Sequence, residues 1–405
     1  MGLKKIVLIT TGQPSCNPRI VKEADALHAA GYEVTVLYNY FVGWAEENDT
    51  ILLSDVGWEF YMAGGSPLQN IKRYRYTRLR NKLAAVIGKL FGNQFLLAER
   101  MQARAYDELL RAAKKIKADW YIGHNLGALA VAVNAAKFHG SKAGFDFEDY
   151  YRGEISPQEK NISIRIHRLE KKYLPALSYF SAASEMILSA VQKDHPEFKG
   201  KVVTLNNCFP LKQQPLFKEK DQHDCTLQLF WFSQTIGINR GLETLIDALM
   251  LLNNSNIHLT LAGRCNATIL SYIETHAGAI KANIYFVGII QPDSLAAFAA
   301  QFDVGMALEL QTPCNRDICL TNKVFTYLLA GNAMILSETA MQLAFNKRYK
   351  IGYSYAVNNV QGLVQAISFY LNKKNLDKQR THNYLLAKNE LNWELESKKL
   401  LDVIE

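Results

Sequence analysis

At 405 residues the chain has the length of two domains or three, and its 49% hydrophobic content is ample for sizeable cores. No run of 18 or more apolar residues is present, so a membrane-spanning helix is not expected. The net charge of +8 belongs to the first half, where residues 1–210 hold 28 Lys and Arg against 21 Asp and Glu while residues 211–405 hold 18 against 17, an asymmetry that suggests a polyanionic partner surface.

Residues 4–10 are β-branched and apolar, as suits a buried parallel strand. The polar loop Thr10–Arg19 follows, with Asn17 as N-cap and Pro18 at the first helical position. Ile20, Ala24 and Leu27 keep helical spacing, Gly31 ends the helix, and Tyr32–Leu37 reads as a second strand. This is a βαβ unit of the length a doubly wound sheet uses. The run 71–91 interleaves Lys72, Arg73, Arg75, Arg78, Arg80, Lys82 and Lys89 with large apolar residues. A helix is expected over 95–117, a strand over Asp119–Gly123, a helix over Ala128–Phe138 and a strand over Lys142–Asp146. Helix 163–174, strand Leu177–Ala182, helix Glu185–Lys193 and strand Val202–Leu205 complete the first half. Asn206–Pro215 breaks the pattern and reads as the linker. Strand Leu227–Ser233 restarts it, followed by helix 241–252, strand 257–262, helix 267–275, strand 283–287, helix 293–301 and strand 303–308. Residues 376–405, charged and helical in pattern with Trp393, are expected to pack back as a terminal helix.

The fold class is therefore α/β: two Rossmann-like domains, 1–208 and 209–375, whose strand C-termini face a central cleft where ligands of open α/β sheets bind. Six cysteines (16, 208, 225, 265, 314, 319) are scattered, and Met1–Thr11 has too short an apolar run for an export signal, so reduced cytosolic thiols are expected. Cys314 and Cys319 have no second pair or nearby His to complete a zinc set.

Thr321–Ser337 reads as a polar loop, an apolar helix, Gly331 and a short buried strand. Lys323 falls in the first helical turn, where a cation opposes the helix dipole. An anionic ligand shared by Lys323 and the helix N-terminus explains its place. Leu227–Ile246 runs a strand past Gly237 into a helix near Arg240-Gly241. Such a turn lets amides approach a phosphate, and Arg240 adds a charge-assisted contact. Gly263-Arg264 ends another strand, with Arg264 directed to phosphate, to a base or to solvent. His124 stands at one strand end, and Asp146, Glu148 and Asp149 at the next. Three carboxylates in four residues need a partner, a polar substrate or nearby helix N-termini. Arg19 faces phosphate or pairs with Glu23 at i,i+4.

Taken together, residues 4–370 resemble the GT-B glycosyltransferases of the retaining family-4 type. The family's donor-site run, Asn-Lys-hydrophobic-Phe-Glu-Tyr-Leu-x-x-Gly, is matched by Asn322–Gly331 with Thr326 in place of Glu. The other acid of many relatives, eight positions upstream, is Ile318 here. Gly237, Arg240 and Gly241 match the loop that holds the diphosphate, Gly263 the next strand-end glycine, and Gly288 with Ile289 the segment lining the nucleobase. His124 resembles the sugar-facing His, Asp146-Phe-Glu148-Asp149 the Asp-x-His-Glu element, and Pro18-Arg19 with Lys22-Glu23 the first acceptor-side loop.

The resemblance implies transfer of a sugar from a nucleoside diphosphate sugar to a hydroxyl of a glycan or lipid-linked acceptor, with retention. Arg240, Lys323 and helix N-termini would neutralise the diphosphate, so no metal and no separate cofactor is expected. Donor contacts fall to Gly237, Arg240, Gly241, Gly263, Arg264, Gly288, Ile289, Asn322, Lys323 and Thr326. Catalytic or acceptor contacts fall to His124, Glu148 and Asp149. Two other readings use the same plan: a sugar-nucleotide epimerase, and a non-catalytic scaffold, for which the missing Glu pair argues. The run 71–91 suits an anionic membrane surface on the cytoplasmic side, or a solvated helix face; nucleic acid is not the expected partner.

Overall fold

Strands covered on both faces are apolar at every position, and β1 (Lys5–Thr10) has that character: all but its first residue are buried. The computed structural model describes residues 4–91, 97–155, 159–221, 223 and 225–405. They divide into Met1–Leu205 with Ser397–Glu405, called unit 1, and Asn206–Glu396, called unit 2.

In unit 1, β1 is followed by α1 (Pro18–Ala29), β2 (Glu33–Asn39), α2 (Trp44–Leu53), β3 (Glu59–Ala63), α3 (Ile71–Phe91), α4 (Leu97–Gln102), α5 (Tyr106–Ala113), β4 (Trp120–His124), α6 (Leu126–His139), β5 (Lys142–Phe147), α7 (Lys160–Tyr173), β6 (Tyr179–Ala182), α8 (Glu185–Asp194) and β7 (Lys201–Thr204). The Asn17 side chain accepts from the Ile20 N–H, with Pro18 in the first turn, so α1 starts as its sequence expects. The seven strands are parallel in the order β3-β2-β1-β4-β5-β6-β7. The strand order reverses between β1 and β4, and there Thr10 pairs with His124, which pairs in turn with Asp146.

Unit 2 holds β8 (Leu227–Ile236), α9 (Leu242–Leu252), β9 (Ile257–Cys265), α10 (Ala267–His276), β10 (Ile284–Val287), α11 (Leu295–Ala299), β11 (Val304–Ala307), α12 (Cys314–Ile318), α13 (Asn322–Ala330), β12 (Ala333–Ser337), α14 (Ala340–Tyr349), β13 (Tyr353–Tyr355), α15 (Val360–Leu371), α16 (Lys373–Asn389) and the start of α17 (Trp393–Ile404). Its six parallel strands run β10-β9-β8-β11-β12-β13, reversing between β8 and β11. Leu229, Trp231, Leu245, Leu259, Ile335 and Leu363 belong to its core.

The structure corrects several expectations. The helix over 95–117 is two helices, α4 and α5. At their break Arg104 turns its guanidinium to the carbonyls of Gly64 (2.9 Å), Tyr40 (3.2 Å) and Gly65 (3.3 Å). Residues 95–96 and the side chain of Lys89 lie outside the described residues. β8 and β9 run past their expected ends, with a register shift between Phe232 and Thr235. A C-terminal helix does pack back, as expected, but residues 376–405 are divided between it, α17, and most of α16. All of α16 is part of unit 2, where the buried Asn383 amide donates to Asn332 O (2.7 Å) and Ile351 O (2.8 Å). The last turns of α17 complete unit 1: Leu400 and Ile404 join its core, and Trp120 Nε1 donates to Ile404 O at 3.1 Å. The units part at Leu205–Asn206, where Asn206 is held by Glu396 through its backbone N–H (2.9 Å) and side chain (3.1 Å).

One close approach fixes α13 on its sheet. A Cβ at Gly305 would stand 2.2 Å from Cγ of Tyr327, which is fully buried and donates its hydroxyl to Phe230 O at 3.0 Å. Gly305→Ala is expected to destabilise unit 2 by about 1–3 kcal/mol, as overpacked cores are. Thermal unfolding checks this; an unchanged midpoint would show that the ring gives way freely.

Candidate functional site

Parallel strands place all their C-termini on one edge, and ligands reach that edge where the strand order reverses. In unit 2, α13 begins there. Thr321 is its N-cap and Lys323 lies in its first turn. The lysine is buried, with Nζ 2.6 Å from Glu309 Oε1 and 5.4 Å from the centre of the Trp231 ring. Glu309 follows β11 and donates its backbone N–H to Ser337 Oγ at 2.8 Å. The chain thus supplies a carboxylate beside the buried lysine, and that carboxylate occupies only part of the ammonium's three donors.

Arg240 is half-buried and touches Ser233 Oγ at 3.4 Å. Gly241 caps α9 at φ 77°, and Leu308 lies 3.0 Å from where its Cβ would be. Gly263, at φ 138°, lies so close to Ser233 O that a Cβ would stand 2.0 Å from it. Gly237 and Gly288 border open space. Arg264 and Ile289 are exposed, as is Asn322, which accepts from Asn207 Nδ2. Asp317 accepts the Ala340 N–H at 2.8 Å and so serves the start of α14.

Around α13 and α14 several buried polar atoms have no hydrogen-bond partner: Thr321 Oγ1, Thr326 Oγ1, both amide atoms of Gln342, and Trp231 Nε1. Thr326 is 1% exposed and Gln342 not at all. Native proteins pair such groups, and each one left unpaired costs about 1–3 kcal/mol. Sequence reading missed Thr321, Gln342 and Trp231. Thr339-x-x-Gln342 has the spacing of a capping box, and Thr339 Oγ1 does accept the Gln342 N–H (3.4 Å). No sequence signal shows that the glutamine amide fails to answer.

In unit 1 the edge carries a tight charge network. Arg19 Nε and Nη2 donate to the two oxygens of Asp146 (2.5 and 2.8 Å), and Nη1 to Leu205 O (2.7 Å). Ser181 donates to the same aspartate at 2.5 Å. His124 lies fully buried between carboxylates, with Nε2 3.2 Å from Glu23 and Nδ1 3.2 Å from Glu148 and 3.6 Å from Asp146. Glu148 also accepts from Asn17 (2.5 Å) and Asn125 (3.0 Å). Asn125 sits at φ 66°, a costly backbone for a residue other than glycine, at the β4–α6 junction. The Glu148 side chain is 17% exposed while His124 is sealed, so the glutamate is the member that reaches outward. Asp149 is half-buried next to it in sequence. The structure therefore joins His124 to Glu148, and adds Asn17, Asn125 and Ser181, which sequence reading did not assign.

Burial works against charge on His124, but Glu23, Glu148 and Asp146 hold its pKa up at about 10. Burial would raise Asp146, yet Arg19, His124 and Ser181 keep it below the usual carboxylate range. Glu23, His124 and Asp146 bring ligand atoms within 4.8 Å of one another. Within the trio, both Asp146 oxygens are already taken by Arg19.

The folded pKa of His124 lies above its ordinary 6.5. Its stabilising charge is therefore complete below about 6.5 and is lost as pH rises through about 10. His124→Gln is expected to lower the unfolding midpoint most at and below about pH 6.5 and progressively less as pH rises toward 10. A deficit independent of pH in thermal melts would mean that the imidazole is neutral in the fold.

No family model matches the chain, and no curated protein matches it. Solved structures do. The Anabaena protein Alr3699/HepE in complex with UDP aligns at 13% identity over 99% of each chain with a TM-score of 0.69. The same protein with UDP-glucose gives 14%, 99% of each and 0.67. Sucrose-phosphate synthase from Thermosynechococcus elongatus gives 12%, 99% of this chain and 98% of that one, and 0.70. WaaG, a glycosyltransferase involved in lipopolysaccharide biosynthesis, gives 12%, 98% and 99%, and 0.61. At these identities the likeness shows the fold, which is that of the GT-B glycosyltransferases.

Proposed function

We propose that the protein is a glycosyltransferase that takes a sugar from a nucleoside diphosphate sugar and passes it to a hydroxyl of a glycan or lipid-linked acceptor, with retention and without a metal ion. The observation that carries this reading is the set of buried, unpaired polar atoms of Thr321 and Thr326 at the start of α13 and of Gln342 in the first turn of α14. A ligand rich in hydroxyl and phosphate oxygens would pair them. The fold neighbour HepE has been solved with UDP and with UDP-glucose, which supports a uridine donor as the first to try.

On this reading the α13 N-terminus and Lys323, aimed by Glu309, meet the diphosphate, and Arg240 closes on it from the β8–α9 turn. Thr326 offers a hydroxyl where relatives place a carboxylate. Ile289 and the open backbone at Gly288 flank the base, and Gly237, Gly241 and Gly263 let the chain come close. Arg264 and Asn322 lie at the exposed margin. In unit 1, Glu148 and Asp149 hold acceptor hydroxyls, and His124 positions Glu148.

Arg240→Ala is expected to lose about 1.5–3 kcal/mol of UDP affinity, as for a charged hydrogen bond. Lys323→Met alone would strand Glu309 as a buried unpaired acid, so Lys323→Met with Glu309→Gln is the cleaner variant; a similar loss is expected. Calorimetry in the presence of chelator checks both. UDP binding that is undetectable in the wild type, or unaltered in both variants, would overturn the donor-site reading.

The membrane part of the proposal rests on α3. Tyr76, Leu79, Leu83, Val86 and Ile87 form one exposed apolar stripe along it, each at least 40% exposed. Lys72, Arg73 and Arg75 are exposed at the start of the same helix. Arg80 is not available: it pairs with Asp107 (3.1 Å) and Glu108 (2.5 Å). Wild-type protein should float with phosphatidylglycerol vesicles at low salt and release at high salt, and Leu79→Asp with Leu83→Asp should abolish flotation. Wild type that stays at the bottom of the gradient under both conditions would leave α3 a solvated helix.

A further inference from the structure

Beside the strand reversal of unit 1 lies a cavity of about 500 Å³, within the range of small-molecule sites. Tyr74, Arg78 and Lys82 line it from α3, and their spacing of four puts them on one helix face. Arg104 enters from the α4–α5 break, while Thr11 and Asn39 come from the ends of β1 and β2. None of the lining residues is acidic.

The cations are poorly compensated. Arg104 rests on the carbonyls of Gly64, Gly65 and Tyr40 and on the Thr77 hydroxyl, all neutral oxygens. Arg78 and Arg104 both lie against the Tyr74 ring, 5.6 and 4.8 Å from its centre. Burial, with Arg78 and Arg80 nearby, outweighs the help of Tyr74 and Glu108 and pushes the Arg104 pKa down. Glu108 itself is taken by Arg80. Such a group of charges calls for an anion.

A second observation narrows the ligand. Asn39 is 2% exposed, and its Oδ1 has no hydrogen-bond partner. That oxygen accepts only, so it needs a donor, which a fully ionised anion lacks and a sugar hydroxyl provides. Phe41, 67% exposed, adds an aromatic face among the lining residues. Next to Thr11, Thr10 donates to Asn125 Oδ1 at 2.6 Å, and Asn125 holds Glu148. The cavity and the outward carboxylate thus share one edge of the sheet.

We propose that this cavity binds a sugar bearing an anionic group, a phosphate or a carboxylate, with Arg78, Lys82 and Arg104 on the anion and Asn39 on a ring hydroxyl. The proposal rests on the glycosyltransferase reading insofar as that sugar is the acceptor, or the acceptor's terminal residue.

Binding of glucose 6-phosphate, glucuronate, glucose and inorganic phosphate to the full chain tests it by calorimetry. Glucose 6-phosphate or glucuronate should bind at least about tenfold more tightly than glucose and than inorganic phosphate. Whichever of the two binds identifies the anionic group. Arg78→Gln and Lys82→Gln, both at exposed side chains, should each weaken that ligand about tenfold and leave UDP affinity unchanged. Asn39→Leu should weaken glucose 6-phosphate or glucuronate but not inorganic phosphate. Equal affinity for glucose and both anionic sugars, inorganic phosphate binding as well as the sugar phosphate, or indifference to Arg78→Gln and Lys82→Gln would overturn the proposal. Failure to bind UDP with sugar binding intact would instead count against the donor site alone.

Discussion

A parallel sheet covered on both faces leaves a charged side chain nowhere to go except where its strands stop. Both sheets here obey this constraint. Ile6, Leu8 and Ile122 of unit 1 and Leu229, Leu259 and Ile335 of unit 2 are buried at 3% exposure or less, so polar chemistry collects at the C-terminal edges. At that depth a charge survives only with a partner, because an isolated ion in a low-dielectric interior is far too costly.

The two edges solve the problem differently. At the end of β1, β4 and β5, unit 1 sets its buried charges against one another. Arg19 meets Asp146, and His124 is shared by Glu23 and Glu148. The result is rigid, and it fixes the position of the one carboxylate that reaches outward. Unit 2 pairs Lys323 with Glu309 but leaves Thr326 and Gln342 buried with idle polar atoms. Unit 1 has idle atoms as well, both Glu23 oxygens and His124 Nε2 among them, but there they face opposite charge at ion-pair distance, whereas the idle hydroxyls and amide of unit 2 are neutral groups.

The doubly wound architecture was legible because strand and helix periods alternate with regular spacing, and because Asn17-Pro18, Gly31 and Gly331 punctuate the helices. The turns at Gly241 and Gly263 and the place of Lys323 in the first turn of α13 were legible because they are local features of the backbone. What was hidden is non-local. The apolar pattern of 95–117 runs on through Arg104, and only the carbonyls of Gly64 and Gly65, about forty residues away in sequence, explain why the helix breaks there. The seven basic residues of 71–91 read as one run, whereas helical periodicity sends Arg80 to Glu108, Arg78 and Lys82 to a cavity, and Lys72 to the surface. Residues 376–405 carry a helical pattern, but the pattern does not say which core each face joins. The Glu309–Lys323 pair crosses from a strand end to the start of a helix, and no sequence spacing announces it.

That pair also decides how the unit 2 edge would treat a diphosphate. Lys323 is nearly balanced by Glu309 before any ligand arrives, so its ammonium contributes direction more than net charge. The uncompensated attraction then falls to Arg240 and to the N–H groups at the start of α13, which carry the positive end of the helix dipole. Arg240 is the less restrained of the two cations, with its 3.4 Å contact to Ser233 against the 2.6 Å ion pair of Lys323. Ordering a long side chain costs conformational entropy, on the order of 2 kcal/mol for arginine. The arginine must recover that from the ligand, whereas the lysine is already ordered. On the proposed donor reading, such a site would hold its geometry with the buried pair and leave its response to the ligand to the arginine of the β8–α9 turn.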